Sequence, residues 1–403
     1  MARDWRRSGL GSPALRCYLI GQLLSVTCSW MQVVALASVV VEMDGRALGW
    51  VVAAQFLPSL LLGPWCGALV DRHERRRLLM LAEAGLGLVA TAFAVMSTME
   101  LLSLGWVYVL ASVWGLFNAL DTPARRSLVP MLVPSGQAAR ASSLAATVML
   151  IGMATGSAVG ALLVAHSGPR AAFAVNAASF VIDVAIVATI RVAAVPPVLT
   201  ARGQIRDGLR YVYRTRRLRD PLILLAAVAT LGFSVQTSAP VFVRTVLGGG
   251  PALIGAALSA VTVGSLVGAL AAVARGAPGT HTLRRAAWAM TGALAVTAAA
   301  PDVPITFLGL AGIGLAWSLL LSMVVGRLQE GEQAMMGRVM SLFAAVLIGG
   351  MALGGPIVSL EVVFGGPRMP FVVGAAATAA AVVVLTAAGR RPAERLPEPV
   401  RPA

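Results

Sequence analysis

Apolar residues fill this chain in long runs, broken by short polar stretches rich in Arg, Gly and Pro. A helix needs about 20 mostly apolar residues to cross a bilayer. That length predicts twelve spans, at 15–41, 49–70, 78–98, 101–121, 140–165, 171–190, 221–244, 252–274, 286–300, 304–325, 339–362 and 370–388. Span 9 is short, being cut by Pro301 and Pro304.

The two sets of six repeat one another. Shifted by 198 positions, Arg140–Phe173 lies on Arg338–Phe371 without a gap, and 15 of the 34 aligned positions are identical. Each copy opens on an Arg, runs through glycines four apart and ends in Gly-Pro-Arg, at 168–170 and 366–368. Parallel duplication is one way to build a transporter around a midplane site. The predicted fold is an all-α membrane protein with twelve transmembrane helices in two homologous six-helix bundles. The expected organisation is a first bundle over 1–190, a basic linker over 191–220, a second bundle over 221–389 and a disordered tail over 390–403.

Composition supports this and removes other classes. Hydrophobic residues make up 58% of the chain and charged residues 12%, against roughly 25% charged in a soluble domain. The net charge of +15 would suggest nucleic acid in a soluble protein, but its distribution gives topology instead. All basic residues are Arg, and 28 of the 32 fall on one side if the N-terminus is cytoplasmic. The positive-inside bias therefore predicts a multi-pass protein of the plasma (inner) membrane with both termini cytoplasmic. Cys17, Cys28 and Cys66 lack CxxC spacing, so neither disulfide nor metal framework is expected. His73, His166 and His281 have no metal spacing either. No cleavable signal peptide is expected, because the first apolar run is too long for one.

Within the linker, Ile205, Leu209, Val212 and Tyr213 share a helical face, with Arg206, Arg210, Arg214 and Arg217 largely opposite. That pattern fits an interfacial helix on anionic lipid and equally a solvated basic linker.

The first loop of the arginine-rich side reads Gly67-Ala-Leu-Val-Asp71-Arg72-His73-Glu74-Arg75-Arg76-Arg77. It resembles the signature loop between helices 2 and 3 of the major facilitator superfamily, with Glu74 where the family has a second Gly. Asp121-Thr-Pro-Ala-Arg125, Pro130 and Pro134 before span 5, with Asp207-Gly-Leu-Arg-Tyr-Val and Leu218-Arg-Asp-Pro221 before span 7, are similar to the enterobactin-exporter and macrolide-efflux branch. The resemblance covers nearly the whole chain. It implies export, in exchange for protons, by alternating access. It also implies a latch, formed by Gly67, Asp71, Arg72, Arg75 and Arg76 against Gly337 and Arg338 at the start of span 11. The physical basis is the partial positive charge and free N–H groups of a helix N-terminus.

Gly152, Gly156 and Gly160 on span 5, with Gly350, Gly354 and Pro356 on span 11, have the spacing of close helix packing. The expected contacts are spans 5 with 8 and 2 with 11. The related antiporter motif carries Pro where this chain has Ser157.

In the superfamily, helices 1, 4, 7 and 10 line the central cavity. Polar stripes on those spans mark the candidate substrate residues: Gln22, Ser25, Ser29 and Gln32; Tyr108, Ser112 and Asn118; Thr230, Ser234 and Thr237; Ser318 and Ser322. Lipid cannot satisfy such groups, although single Ser and Thr often bond back to their own helix. Ionisable residues inside spans are few and mark function by default. Asp183 is the first proton-coupling candidate, Glu83 the second and Asp121 the third. Helix 6 is usually peripheral in the superfamily, which counts against Asp183. A structural ion pair with Arg75–Arg77 competes for Glu83.

The functional expectation is a secondary transporter, a proton-coupled exporter of a small amphipathic molecule such as a drug, siderophore or secondary metabolite. It needs no cofactor and no metal, and it is not an enzyme. Its partners are the substrate, protons and membrane lipids, without nucleic acid, and it acts as a monomer. Import on the same fold remains open. An intramembrane lipid-modifying enzyme would need converging acids, His or Ser at a membrane face, and a sensor would need a signalling domain.

Overall fold

Every predicted span is helical. The computed structural model describes residues 12–190, 204–232, 235–275, 280–332 and 335–389; the expected disordered tail over 390–403 lies outside them. Numbered to match the spans, the helices are α1 (Pro13–Asp44), α2 (Leu48–Arg72), α3 (Arg75–Thr98), α4 (Leu104–Leu128), α5 (Ala138–Ser167) and α6 (Pro169–Thr189). α7 is built from Arg216–Ala227, a π turn at Val228–Gly232 and Val235–Thr245. α8 (Pro251–Arg275), α9 (Thr280–Ala299), α10 (Val303–Leu328), α11 (Met336–Gly365) and α12 (Met369–Gly389) follow. Ten stretches among the described residues are long and apolar enough to cross a membrane, and the first, Pro13–Arg72, holds both α1 and α2. α9 is not among them, because Arg284 and Arg285 occupy its first turns.

Local chemistry sets the ends. Ser12 accepts a hydrogen bond from the Leu15 N–H at 3.1 Å, with Pro13 opening α1. Asp302 caps α10 through the Ile305 N–H at 3.0 Å, so Pro304 begins α10. The repeated Gly-Pro-Arg works identically in both halves. Gly168 (φ 78°) and Gly366 (φ 81°) end α5 and α11, with N–H groups bonded to the carbonyls of Val164 and Val362 at 3.0 Å each. Only glycine adopts that backbone without strain.

One helix end differs consequentially from expectation. α4 does not stop at 121; it passes through Pro123 to Leu128. Arg125, counted from sequence among the arginines between spans 4 and 5 and within the motif of the efflux branch, therefore sits inside a helix.

The two bundles use equivalent contacts. α5 lies on α1 through glycines: a Cβ at Gly156 would sit 2.8 Å from the Trp30 Cβ, and one at Gly160 2.7 Å from the Met31 Cα. α11 lies on α7 the same way, with Gly350 facing the Ala229 Cβ at 2.6 Å. This corrects the expected use of Gly152, Gly156 and Gly160, which pack within the first bundle rather than on α8. The contact with α8 is made instead by Ala161 and Ser157 against Gly255.

Between bundles, closure is one-sided. On the face opposite the arginines, Gly49 of α2 meets the Gly355 backbone of α11, and a Cβ at Gly45 would sit 3.9 Å from the Val241 side chain of α7. Further along, Leu60 reaches to 3.5 Å of a Cβ position at Gly349. Beyond that the helices part: Gly63, Gly67 and Gly337 face no atom within 4 Å. The arginine-rich face is the open one.

The linker helix, Gln204–Arg214, rests on the second bundle. Val212 joins that core, and the Tyr211 hydroxyl accepts a hydrogen bond from the Glu332 N–H at 3.2 Å. Leu209 (57% exposed) and Tyr213 (72%) remain outside.

Candidate functional site

Three helices of the first bundle deliver charge to one point. α4 carries Asp121 and Arg125 one turn apart, α3 carries Glu83, and α6 carries Asp183. The Arg125 guanidinium donates from Nε to both Asp121 oxygens at 3.1 and 3.2 Å, and from Nη2 to Asp183 at 3.0 Å and to Glu83. α1 adds Tyr18, buried beside Arg125. Glu83 and Asp183 are sealed, with side chains 0% and 1% exposed, while Asp121 (11%) and Arg125 (15%) keep an edge to solvent. Counting residues from the helix ends, the cluster lies roughly 10 Å inside the arginine-rich face at 1.5 Å per residue.

Apolar layers isolate it. Leu86, Ala90 and Phe180, with Trp114 and Phe117, pack on one side; Leu79, Leu120, Leu128 and Val187 pack on the other. Gly21 of α1 is required by proximity, since a Cβ there would stand 2.5 Å from Asp183 Oδ1. One guanidinium balances one carboxylate. The other two either bind protons or leave negative charge buried, which costs several kcal/mol per ion. Glu83 Oε2 and Arg125 Nη1 are buried without a hydrogen-bond partner among the described residues, and of the two only the carboxylate oxygen can accept a proton.

The structure thus gathers all three acidic candidates, Asp183, Glu83 and Asp121. It also corrects the competing pairing of Glu83: its partner is Arg125, not Arg75–Arg77. Arg77 pairs with Glu74 at 2.5 Å, Arg76 donates to the Ala188 carbonyl at 2.7 Å and Arg75 to Met131 Sδ at 3.1 Å. Arg125 and Tyr18 were missed. The available signal was the i, i+4 spacing of Asp121 and Arg125.

The cavity candidates divide. Gln22, Ser25, Gln32, Thr237 and Ser318 are buried in protein, so they do not line the open space between bundles. Gln22 donates to the Ala145 carbonyl of α5 at 3.3 Å. Gln32 accepts from Asn176 of α6 at 2.9 Å, and Ser29 donates to Asn176 Oδ1 at 3.4 Å. The expected substrate-facing stripe of α1 is therefore largely an internal seam, which corrects Gln22 and Gln32; Asn176 was the missed partner. Ser112 and Ser322 bond back to Tyr108 and Ser318 of their own helices at 2.9 and 2.8 Å. Tyr108, Asn118 and Thr230 are partly exposed, and Ser234 lies outside the described residues. In the latch region, Asp71 makes no hydrogen bond or ion pair among the described residues, and Arg338 donates to Met335 Sδ at 3.3 Å.

Residues 8–396 match the family of transmembrane secretion effectors of the major facilitator superfamily. The chain belongs to that family. It is 23% identical to the staphyloferrin A transporter of Staphylococcus aureus, over 55% of this chain and 57% of that one. It is 27% identical to macrolide efflux protein A of Streptococcus pyogenes, over 44% and 45%. An uncharacterised transporter of the superfamily from Bacillus subtilis, YfiS, is 27% identical over 63% and 62%. The chain thus spans about two thirds or less of the length of these curated relatives. Among solved structures, a D-xylose–proton symporter superposes with a TM-score of 0.74 at 14% identity, over 92% of this chain and 96% of that one. An inward-facing, occupied bacterial homologue of the lysosomal transporter Spinster gives 0.70 at 14%, over 93% and 96%. These likenesses establish the fold. The protein is a multi-pass membrane protein of the major facilitator superfamily.

Proposed function

We propose that this transporter exports a small amphipathic molecule in exchange for protons, and that the Arg125 cluster is where the proton binds. The observation that carries this reading is three buried carboxylates gathered on one guanidinium, in the half of the first bundle nearer the face on which the bundles are apart. Adding or removing a proton there changes the charge balance among α3, α4 and α6, while Gly21 ties α1 to the same point. With the arginine-rich face cytoplasmic, the conformation is inward-open, ready to take cargo from inside the cell. The relatives named for staphyloferrin A and for macrolide efflux support an amphipathic cargo and the export direction. On this reading the membrane is the plasma membrane and both termini are cytoplasmic.

Asp71 is the proposed latch of the other state. Closing the arginine-rich face brings α2 toward α11, where the start of the helix offers free N–H groups to the carboxylate.

Growth of cells with and without the protein on a panel of macrolides, siderophores and cationic dyes identifies the cargo. Lower intracellular accumulation of at least one compound, abolished by a protonophore, is the expected result. Higher accumulation of the transported compound in expressing cells would establish import instead.

A further inference from the structure

We propose that a proton path runs inside the first bundle, along the seam between α1 and α6, and joins the Arg125 cluster to the face opposite the arginines. It rests on the proton-coupled reading above and adds a route separate from the space between bundles. α6 places Asn176, Ser179 and Asp183 at i, i+3 and i+7, all buried. α1 lays Ser29 and Gln32 along the same seam. Asn176 donates to Gln32 at 2.9 Å and accepts from Ser29 at 3.4 Å; Ser179 donates to the Asn176 carbonyl at 2.8 Å. From Ser179 to Asp183 is one helical turn, about 6 Å along the axis, and the proposed path crosses it through an ordered water. At the lower end three buried polar atoms lack protein partners: Gln22 Oε1, Arg125 Nη1 and Glu83 Oε2. Orphans of this kind are normally satisfied by ordered water.

A hydroxyl or a water accepts a proton on a lone pair as it gives up its own, so charge passes along the row without net chemistry. The amides of Asn176 and Gln32 hold the water in line. One turn beyond Asn176, Phe173 stacks on Phe93 of α3 with centroids 5.2 Å apart and shares a buried apolar cluster with Met31 and Ala35 of α1, which closes the seam toward the opposite face. The seam is therefore shut on the same side as the bundles, while Asp121 and Arg125 at its other end keep a slight exposure. Proton access alternates with cargo access.

Two measurements test the path. Cys28 lies buried beside Ser179, and radiolytic hydroxyl-radical labelling marks side chains that touch bound water. With Cys17 and Cys66 changed to Ser, Cys28 should be labelled at least about tenfold faster than Met290, which is fully buried in the apolar core of the second bundle. Equal, slow labelling of both overturns the path without bearing on coupling. In proteoliposomes with erythromycin as cargo probe, Asn176→Leu should slow cargo-coupled proton flux about tenfold, equivalent to about 1.4 kcal/mol on one step. Erythromycin counterflow, which moves no net proton, reports that the variant is folded. Wild-type proton flux in Asn176→Leu overturns the path alone. A wild-type protein that carries erythromycin without protons overturns the coupled reading, and the path with it.

Discussion

Arg125 is the residue on which the candidate site depends. It is the one cation that Glu83, Asp121 and Asp183 share, and its removal leaves three buried carboxylates facing each other. Breaking a buried pair by deleting one partner costs about 3–5 kcal/mol. Arg125→Met should therefore lower the thermal unfolding temperature in detergent clearly, and the double variant with Asp183→Asn should recover part of the loss. Strictly additive losses would mean that the two groups do not interact. Glu83 and Asp183 were legible in the sequence because an ionisable residue within a span is conspicuous. Arg125 was not, because an arginine beside Pro123 and near a helix end looks like ordinary topology. The distinction lies in tertiary structure, where α4 continues through Pro123 and turns the side chain inward.

Among the elements, the duplication was the most legible feature. Its Gly-Pro-Arg sites share one backbone geometry, with Gly168 and Gly366 at positive φ and open space where a Cβ would go. Only backbone strain opposes a side chain there, at about 1–3 kcal/mol. Gly168→Ala and Gly366→Ala should each destabilise by that amount in chemical unfolding; a neutral effect at both would remove the reason for the repeat. The glycines on α2 and α11 serve conformation. Gly49 and Gly355 touch backbone to backbone where the bundles close. Overpacking there costs about 1–3 kcal/mol, so Gly355→Val should shift the population away from this closure by roughly 5–150-fold. Distances between spin labels on α2 and α11 would report the shift, and an unchanged distribution would show that this contact does not set the state. The spacing of Gly152, Gly156 and Gly160 predicted close packing but not the partner, since α1 and α8 both flank α5. Likewise the polar stripe of α1 was visible, but periodicity cannot say whether a polar face meets substrate or another polar helix.

At the scale of the molecule, one-sided closure links the latch to the cycle. Asp71 is without a partner among the described residues in this state, so Asp71→Asn should leave its stability unchanged and weaken only the alternative state. Charge at a helix N-terminus contributes about 0.3–1 kcal/mol, and up to about 2 when partly buried. Turnover should fall several-fold at unchanged cargo affinity, measured as transport rate against equilibrium binding; unchanged transport would reduce the loop to topology. The most direct test of the central claim is proton movement itself. The transporter is reconstituted with a pH-sensitive dye inside the vesicle, and a gradient of the compound identified in cells is imposed across the membrane. The account predicts proton flux opposite to cargo in the wild type, and its loss in Asp183→Asn, Glu83→Gln or Asp121→Asn while cargo counterflow persists. Full proton flux in all three variants would contradict it.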